Sequence, residues 1–250
     1  MRQVNECVDA VCVLTVKTFT ERIAHMHREL DSHGIAFEFV LEHDADELQP
    51  ELVAATFAPS RMRAAHQSLV LKHIAAWRSA VAAGYRRILV LEDDAVLAGD
   101  FAQRLDVAMQ AAERLPPGWL VYLGGADAKV PDSYFLNEGP LIPLALATTE
   151  GYVTDAAAMQ RRLAWLAEHR IAQPADHLIK SMDAALGIPH YWLRPPIVEQ
   201  GSVTGIFPSV LDASRQKHSR TYNILRNRWS KFQRHRLRAW LAHARAFIGR

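Results

Sequence analysis

The sequence has little of what marks an exported or membrane-spanning protein. Its two cysteines, Cys7 and Cys12, are too few and too close together for a disulfide framework and favour a reducing compartment. Glu6 and Asp9 interrupt the apolar residues that a signal peptide would need, and no apolar run is long enough to span a membrane. We find neither repeats nor low-complexity stretches. We therefore expect a cytoplasmic protein that is soluble or bound to a membrane surface.

Acidic residues are missing from the last part of the chain. Half of the 250 residues are apolar, so the chain can bury a full core without a structural metal. Residues 214–250 contain eleven Lys or Arg and no Asp or Glu, whereas the residues before them carry a net charge of −9. This asymmetry predicts one globular domain, residues 1–213, and a basic tail, residues 214–250, that has a partner of its own.

The tail also has an apolar stripe. Its apolar residues recur at nearly helical intervals, and basic residues fill much of the remaining surface. The apolar positions are Leu225, Trp229, Phe232, Leu237, Trp240, Leu241, Ala244 and Ile248. This pattern predicts an amphipathic helix that lies on an anionic membrane, at the inner face of the cytoplasmic membrane. The alternative is a terminal helix that packs on the body or on a second subunit of a homo-oligomer.

Apolar runs alternate with helical patterns along the first two hundred residues. The predicted strands are residues 10–16, 37–41, 88–91, 120–123, 144–147 and 190–193. The first predicted helix is capped by Thr18 or Thr20 and runs to about residue 33, and a short element is expected near residues 51–57. The other predicted helices are residues 61–83, 100–115, 155–169 and 176–186. Strands that alternate with helices indicate an α/β fold, with a mostly parallel, twisted sheet flanked by helices. Residues 124–143 are predicted to form a loop long enough to be functional.

Three carboxylates follow the apolar run of residues 88–91. Glu92, Asp93 and Asp94 would then lie at the carboxyl end of a buried parallel strand, where α/β sheets bind ligands. Glu92 and Asp94 are two residues apart and point to the same side of an extended chain, so together they can hold one Mg²⁺ or Mn²⁺. The alternative is an acidic turn that caps the helix starting near Asp100.

The order of these features resembles glycosyltransferase family 25, which includes bacterial lipooligosaccharide galactosyltransferases and is related to the collagen hydroxylysine galactosyltransferases. The resemblance spans residues 10 to about 210. The segments that carry it are residues 11–22, His73 with Trp77, residues 89–97 (LVLEDDAVL), residues 151–163 (GYVTDAAAMQRRL) and Asp176. The chain departs from the family pattern at Ser68, Leu69 and Lys72, before the histidine, and at the end of the first strand, so the donor preference can differ.

The resemblance implies a GT-A type fold and transfer of a hexose, galactose above all, from a UDP-sugar with inversion at the anomeric carbon. It implies a glycan or glycolipid acceptor, such as the core of lipooligosaccharide or lipopolysaccharide, and a Mn²⁺ or Mg²⁺ ion that Glu92 and Asp94 would hold. Such an ion would stabilise the charge of the leaving diphosphate. Thr15, Lys72 and Asp93 are the further candidates for binding the donor.

An inverting transfer needs a base for the acceptor hydroxyl. Asp176 is our first candidate, although it could instead be a helix N-cap, and Glu150 is the second. His73 lies one helical turn from Trp77, a spacing typical of a structural histidine. Asp44 and Asp46 form a second Asp-x-Asp pattern, which in its polar surroundings we interpret as a solvated turn rather than a metal site.

Two other functions remain open at this point. A metal-dependent phosphoester hydrolase could use the same carboxylates, but it would normally need a second metal with more carboxylates and histidines. A nucleic-acid-binding protein could use the basic tail, but that function leaves the acidic strand end unexplained. We therefore do not expect a nucleic acid as the partner.

Overall fold

The computed structural model describes residues 1–125, 136, 139–204, 207, 229, 240 and 241. In this part of the chain, nine strands form two sheets. The strands are β1 (Ala10–Leu14), β2 (Glu38–Val40), β3 (Arg87–Glu92), β4 (Ala95–Leu97), β5 (Leu120–Tyr122), β6 (Leu141–Pro143), β7 (Gly151–Asp155), β8 (His190–Leu193) and β9 (Val198–Gln200). Seven of them form the central sheet in the order β2-β1-β3-β7-β5-β8-β6, and β4 pairs with β9.

The central sheet is mostly parallel, as predicted. Strand β1 pairs in parallel with β2 and β3, and β5 pairs in parallel with β8. Strand β7 runs antiparallel between β3 and β5, and β6 runs antiparallel to β8. The prediction of a strand at residues 144–147 is wrong, because the segment that pairs with β8 is Leu141–Pro143. Strands β4, β7 and β9 were not predicted.

Helices cover both faces of the sheet. They are α1 (Val4–Cys7), α2 (Thr20–Ser32), α3 (Pro50–Thr56), α4 (Ala64–Ala82), α5 (Phe101–Ala112), α6 (Ala156–Glu168), α7 (Ala175–Leu186) and α8 (Gly201–Thr204) among the described residues. One apolar core lies between the sheet and α4, α6 and α7, and the other between the sheet and α1, α2 and α5. Gly34 and Gly84 follow α2 and α4 with φ of 64° and 71°, so each helix stops where the sequence predicts it.

A buried ion pair ties α6, α7 and β8 together. Arg162 is fully buried and donates to both oxygens of Asp183, at 2.8 and 2.6 Å. Asp183 also lies 2.6 Å from His190 Nε2, and Arg162 donates to Thr154 Oγ1. Removing one partner of such a pair leaves a buried charge and costs about 3–5 kcal/mol. The network therefore fixes the helices that follow β7 and precede β8.

The tail lies outside the described residues, apart from Trp229, Trp240 and Leu241. The predicted amphipathic helix, and the division at residues 213 and 214, therefore stay predictions. Most of the predicted loop of residues 124–143 also lies outside the described part. No helix in the described ranges is long and apolar enough to cross a membrane.

His73 is a core residue, as its spacing from Trp77 predicts. It is 1% exposed, and its Nδ1 atom lies 2.8 Å from the hydroxyl of Tyr152, which also accepts a hydrogen bond from Trp77 Nε1 at 3.1 Å. Burial, with a smaller contribution from the nearby Arg162 charge, lowers the pKa of the imidazole to about 3. His73 is therefore neutral in the folded protein at physiological pH.

We predict that His73 makes folding stability depend on pH below 6.5. Between pH 6.5 and 3 the unfolded chain binds a proton at His73 that the folded protein does not bind, so the free energy of unfolding falls as the pH is lowered. The contribution is at most about 1.4 kcal/mol per pH unit. Urea unfolding at pH 6.5, 5.5 and 4.5 should give a shallower decline for His73→Asn than for the unchanged protein.

The matched control is Trp77→Phe, which removes a donor to the same hydroxyl without removing a titratable group. It should lower stability equally at all three pH values. Parallel pH curves for His73→Asn and the unchanged protein would contradict the assignment.

Candidate active site

The acidic strand end lies where the sequence predicts it. Glu92 ends β3 and is in register with Leu14, the last residue of the parallel strand β1, so both strands end at the same edge of the sheet. Beyond it the chain turns into β4, which pairs with β9. The three acids do not cap α5, because Asp100 occupies the N-cap position of that helix. The capping alternative is therefore not supported.

The three carboxylates lie in three different surroundings. Both oxygens of Asp93 accept hydrogen bonds, one from Thr15 Oγ1 at 2.8 Å and one from Arg22 Nη1 at 2.5 Å. Burial raises the pKa of Asp93, and the Arg22 guanidinium opposes that rise. Because both its oxygens are occupied, Asp93 links β1, α2 and the end of β3.

Asp94 is held on one side only. Its Oδ2 atom accepts a hydrogen bond from the backbone N–H of Ser202 at 3.0 Å, and its carbonyl oxygen accepts one from Gly201 at 2.6 Å. Its Oδ1 atom is buried and has no hydrogen-bond partner among the described residues. A buried carboxylate oxygen without a partner costs free energy, so it is typically reserved for a proton or a cation.

Glu92 is the second acid of the strand end that has no basic partner among the described residues. Its Oε1 atom accepts a hydrogen bond from Thr149 Oγ1 at 2.6 Å, and its Oε2 atom lies 3.5 Å from Gln200 Nε2. Burial first, and then the charge of Asp94, raise the pKa of the Glu92 carboxyl to about 8. A cation placed between Glu92 and Asp94 would relieve both the burial cost and their repulsion.

A cavity of about 300 Å³ opens beside Glu92 and Asp93, whereas Asp94 does not line it. Its walls come from the end of β1, the start of α2, the loop after β2, the first half of α4 and the end of β3. Thr15, Lys72, Glu92 and Asp93 line it, together with apolar side chains such as Phe19. Its volume is at the lower end of the range for small-molecule sites. The structure thus brings together four of the predicted site residues at one cavity.

Lys72 is already paired. It is 2% exposed, and its Nζ atom donates to Asp44 Oδ1 at 2.6 Å and to the carbonyl oxygen of Glu42 at 2.7 Å. Asp44 is also 2% exposed and accepts a further hydrogen bond from the backbone N–H of Lys17. The prediction of a solvated turn is therefore wrong for Asp44, because a lysine distant in sequence supplies its counter-ion. Asp46 is exposed and lines the cavity.

Glu150 adjoins the acidic strand end. Its carbonyl oxygen accepts the backbone N–H of Glu92 at 3.2 Å, and its buried side chain accepts the backbone N–H of Gly125. A Cβ atom at Gly124 would collide with the Glu150 side chain, so the close approach requires glycine at that position. The charge of Glu150 also contributes to the raised pKa of Glu92.

Asp176 lies on the α4 side of the same sheet edge. It is in the first turn of α7, where Pro174 and not Asp176 is the N-cap residue. Its side chain is 34% exposed and accepts the backbone N–H of His177. Asp176 also acts on His66, in the first turn of α4. Burial and the charge of Arg63 lower the pKa of His66, and the charge of Asp176 opposes this. The N-cap alternative is not supported here either. Of the two candidate bases, Glu150 is the one that is hydrogen-bonded to Glu92.

Sequence reasoning missed the residues that hold the carboxylates. Thr149 lies in the loop before β7, Gln200 at the end of β9 and Ser202 in the one-turn helix α8, and none of them belongs to a periodic pattern. Arg22 lies within the segment that carries the family resemblance, but nothing local in the sequence links it to Asp93. The pair Gly124–Gly125 was the one available signal, since adjacent glycines indicate a close backbone approach.

An α/β fold with under-neutralised carboxylates beside a cavity at the carboxyl edge of its sheet is typical of an enzyme that binds a polar ligand. Residues 9–128 match the family model of glycosyltransferase family 25, described as an LPS biosynthesis protein. Residues 9–128 are therefore a glycosyltransferase family 25 domain, and the protein is a glycosyltransferase. The matched residues include Thr15, Lys72 and residues 92–94, whereas Glu150 and Asp176 lie beyond them. No match was found among curated proteins.

Proposed function

We propose that the protein is a metal-dependent, inverting glycosyltransferase of the GT-A type. It transfers a hexose, galactose in the first instance, from a UDP-sugar to the glycan of a lipopolysaccharide or lipooligosaccharide core. The observation that carries this proposal is the buried Oδ1 atom of Asp94, which has no hydrogen-bond partner in the described part of the chain. Asp94 lies two residues from Glu92, whose pKa is raised to about 8. These two carboxylates fit a divalent cation.

Mn²⁺ or Mg²⁺ would be held by Glu92 and Asp94 and would offset the charge that the leaving diphosphate gains. Among the described residues, no group of three or more His, Cys, Asp or Glu could hold a metal. This donor set still suits Mg²⁺, because in phosphate-handling sites the ion is commonly bound by one or two carboxylates and the substrate phosphates. A two-metal phosphoester hydrolase would need more ligands, so the described residues favour the transferase over the hydrolase.

The charges of the cavity wall support a metal requirement. Arg22 and Lys72, the basic side chains that line the described cavity, are paired with Asp93 and Asp44. Asp46 and Glu92 add further acidic groups to the same wall. The described wall thus has no surplus positive charge for a diphosphate, so a bound cation would have to supply it. Thr15 and Asp93 would orient the donor, while Lys72 would hold the loop after β2 in place.

The base must accept the proton of the acceptor hydroxyl as the new bond to the anomeric carbon forms and the bond to the diphosphate breaks. Asp176 is partly exposed and is therefore open to an acceptor from solvent, which keeps it our first candidate. Glu150 is buried and engaged with Gly125, so its first role would be to position the acidic strand end. The two residues can be separated by experiment.

We predict that Asp94→Asn abolishes transfer without unfolding the protein. The amide keeps the shape of the side chain but loses the charge that a cation needs, so the rate should fall by roughly 10²-fold or more. The measurement is UDP release from a panel of UDP-sugars with Mn²⁺, alongside thermal unfolding with and without donor. The matched control is Asp100→Asn, at the exposed N-cap position of α5. This variant should keep full activity. Normal turnover by a folded Asp94→Asn protein, or full activity in chelator, would contradict the metal assignment.

We predict that Asp176→Asn keeps donor binding and loses turnover, because an amide cannot accept the proton. Donor affinity should be measured by calorimetry and kcat with a saturating acceptor. Glu150→Gln is the paired variant, and it should change donor affinity more than kcat. If Glu150→Gln is inactive with normal donor affinity while Asp176→Asn is active, the roles must be exchanged.

The basic tail is proposed to bind an anionic membrane that carries the lipid-linked acceptor. This proposal rests on the composition of residues 214–250 and on two tryptophans, Trp229 and Trp240, which are 61% and 66% exposed. Exposed tryptophans suit the headgroup boundary, and each basic residue near an anionic leaflet adds about 1 kcal/mol. The enzyme would then be peripheral on the inner face of the cytoplasmic membrane.

We predict that the triple variant Arg234→Gln, Arg236→Gln, Arg238→Gln binds anionic liposomes about 10²-fold more weakly, since three charges contribute about 3 kcal/mol. Activity on a soluble acceptor should not change. The matched control replaces three exposed arginines of the body, Arg28, Arg61 and Arg78, by glutamine and should bind as the unchanged protein does. Equal binding by both triple variants, or a changed oligomeric state of the tail variant, would favour a structural role for the tail.

A further inference from the structure

The guanidinium of Arg22 contacts two aromatic rings. Its guanidinium carbon lies 5.4 Å from the ring centroid of Phe19 and 5.5 Å from that of Phe207. Phe19 directly precedes α2, whereas Phe207 comes from the segment after α8. The Arg22 side chain is 14% exposed and donates to Asp93 Oδ1. A residue from the far end of the domain thus contacts the arginine that neutralises the middle carboxylate of the acidic strand end.

The Phe207 ring also contacts a second side chain of α2. It packs edge-on against the imidazole of His25, with the ring centroids 5.1 Å apart. The His25 Nε2 atom lies 2.9 Å from the carbonyl oxygen of Ala95, the residue that follows Asp94. Phe207 therefore contacts two side chains of α2. Arg22 is hydrogen-bonded to Asp93, and His25 to the residue that follows Asp94.

The position of Phe207 is itself fixed beside that turn. Its backbone N–H donates to the carbonyl oxygen of Gly201 at 3.3 Å. A Cβ atom at Gly201 would lie 2.9 Å from the carbonyl oxygen of Asp94 and 3.0 Å from the Phe207 ring. Glycine at this position thus allows the Asp94 backbone and the Phe207 ring to approach the same point.

We infer that Phe207 is a positioning residue for the donor site. It holds Arg22 against the Asp93 carboxylate and His25 against the start of β4, and through Arg22 it keeps Asp93 neutralised. An arginine side chain has many rotamers, and contact with two rings favours the rotamer that reaches Asp93. Without the Phe207 ring, Asp93 would more often lack its partner and would add a third uncompensated charge beside Glu92 and Asp94.

The inference rests on the proposed function for its effect on donor binding, but the effect on Arg22 can be measured without any ligand. In NMR spectra of the full-length protein without donor, the Arg22 Nε–H signal is assigned by its loss in Arg22→Lys. In Phe207→Leu, which keeps an apolar side chain but removes the ring, the signal should move and exchange faster with solvent. Phe207→Tyr, which keeps the ring, should restore both. Phe37→Leu is the matched control, since Phe37 is also partly buried but packs near the opposite edge of the sheet.

Donor binding is the second measurement. With UDP-galactose and Mn²⁺, Phe207→Leu should raise the dissociation constant about tenfold, and Phe207→Tyr should not. In a protein that already carries Arg22→Gln, adding Phe207→Leu should have little further effect, because both changes remove the same interaction. A residue that only stabilises the fold would lower the unfolding temperature and add its effect to that of Arg22→Gln.

An unchanged Arg22 signal in Phe207→Leu, or effects of the two substitutions that add in full, would overturn the inference. A shifted signal with unchanged donor affinity would also overturn the positioning role. If the unchanged protein binds no UDP-sugar with Mn²⁺, the proposed function fails, while the NMR comparison still decides whether Phe207 holds Arg22.

Discussion

Three adjacent carboxylates at the end of a buried strand are the constraint on which this site depends. Burial favours the neutral form of each acid, and each one also repels the other two. The protein meets this cost differently at each position. Arg22 neutralises Asp93, and Thr15 donates a hydrogen bond to it. The backbone N–H of Ser202 donates to one oxygen of Asp94, and the pKa of Glu92 is raised to about 8. Glu92 and Asp94 are the two acids that have no basic partner among the described residues, and a cation would stabilise both in their charged form.

The partners of these acids come from sequence-distant parts of the chain. Thr15 and Arg22 lie at the end of β1 and in α2, Thr149 precedes β7, and Ser202 follows β9. Several elements must therefore be in place before the acids can be buried together. The antiparallel strand β7 matters most for this, since it pairs with β3 along Arg87–Leu91 and brings Glu150 beside Glu92. The site is in this sense a product of the whole sheet and not of the acidic motif alone.

The sequence predicted the parts of the fold that follow from local pattern. The apolar run at residues 88–91 is a strand, and Gly34 and Gly84 end their helices, because such signals act within a few residues. Strand β7 was missed since it is buried throughout and has no alternation of apolar and polar residues, while the alanine-rich helix after it dominates the pattern. Asp44 was misjudged for a different reason. Its neighbours are polar, but its partner Lys72 is 28 residues away, so composition could not indicate its burial.

The uneven distribution of charge along the chain would also orient the enzyme at a membrane that carries its acceptor. The residues before the tail carry a net charge of −9, and the tail carries eleven basic residues. An anionic membrane would repel the first and attract the second, so the molecule would be oriented as it approaches. The tail begins seven residues after Phe207, a length of chain that spans at most roughly 25 Å. Because Phe207 packs on Arg22 at the wall of the cavity, a tail bound to the membrane as proposed would keep the donor site close to the surface that carries the lipid-linked acceptor.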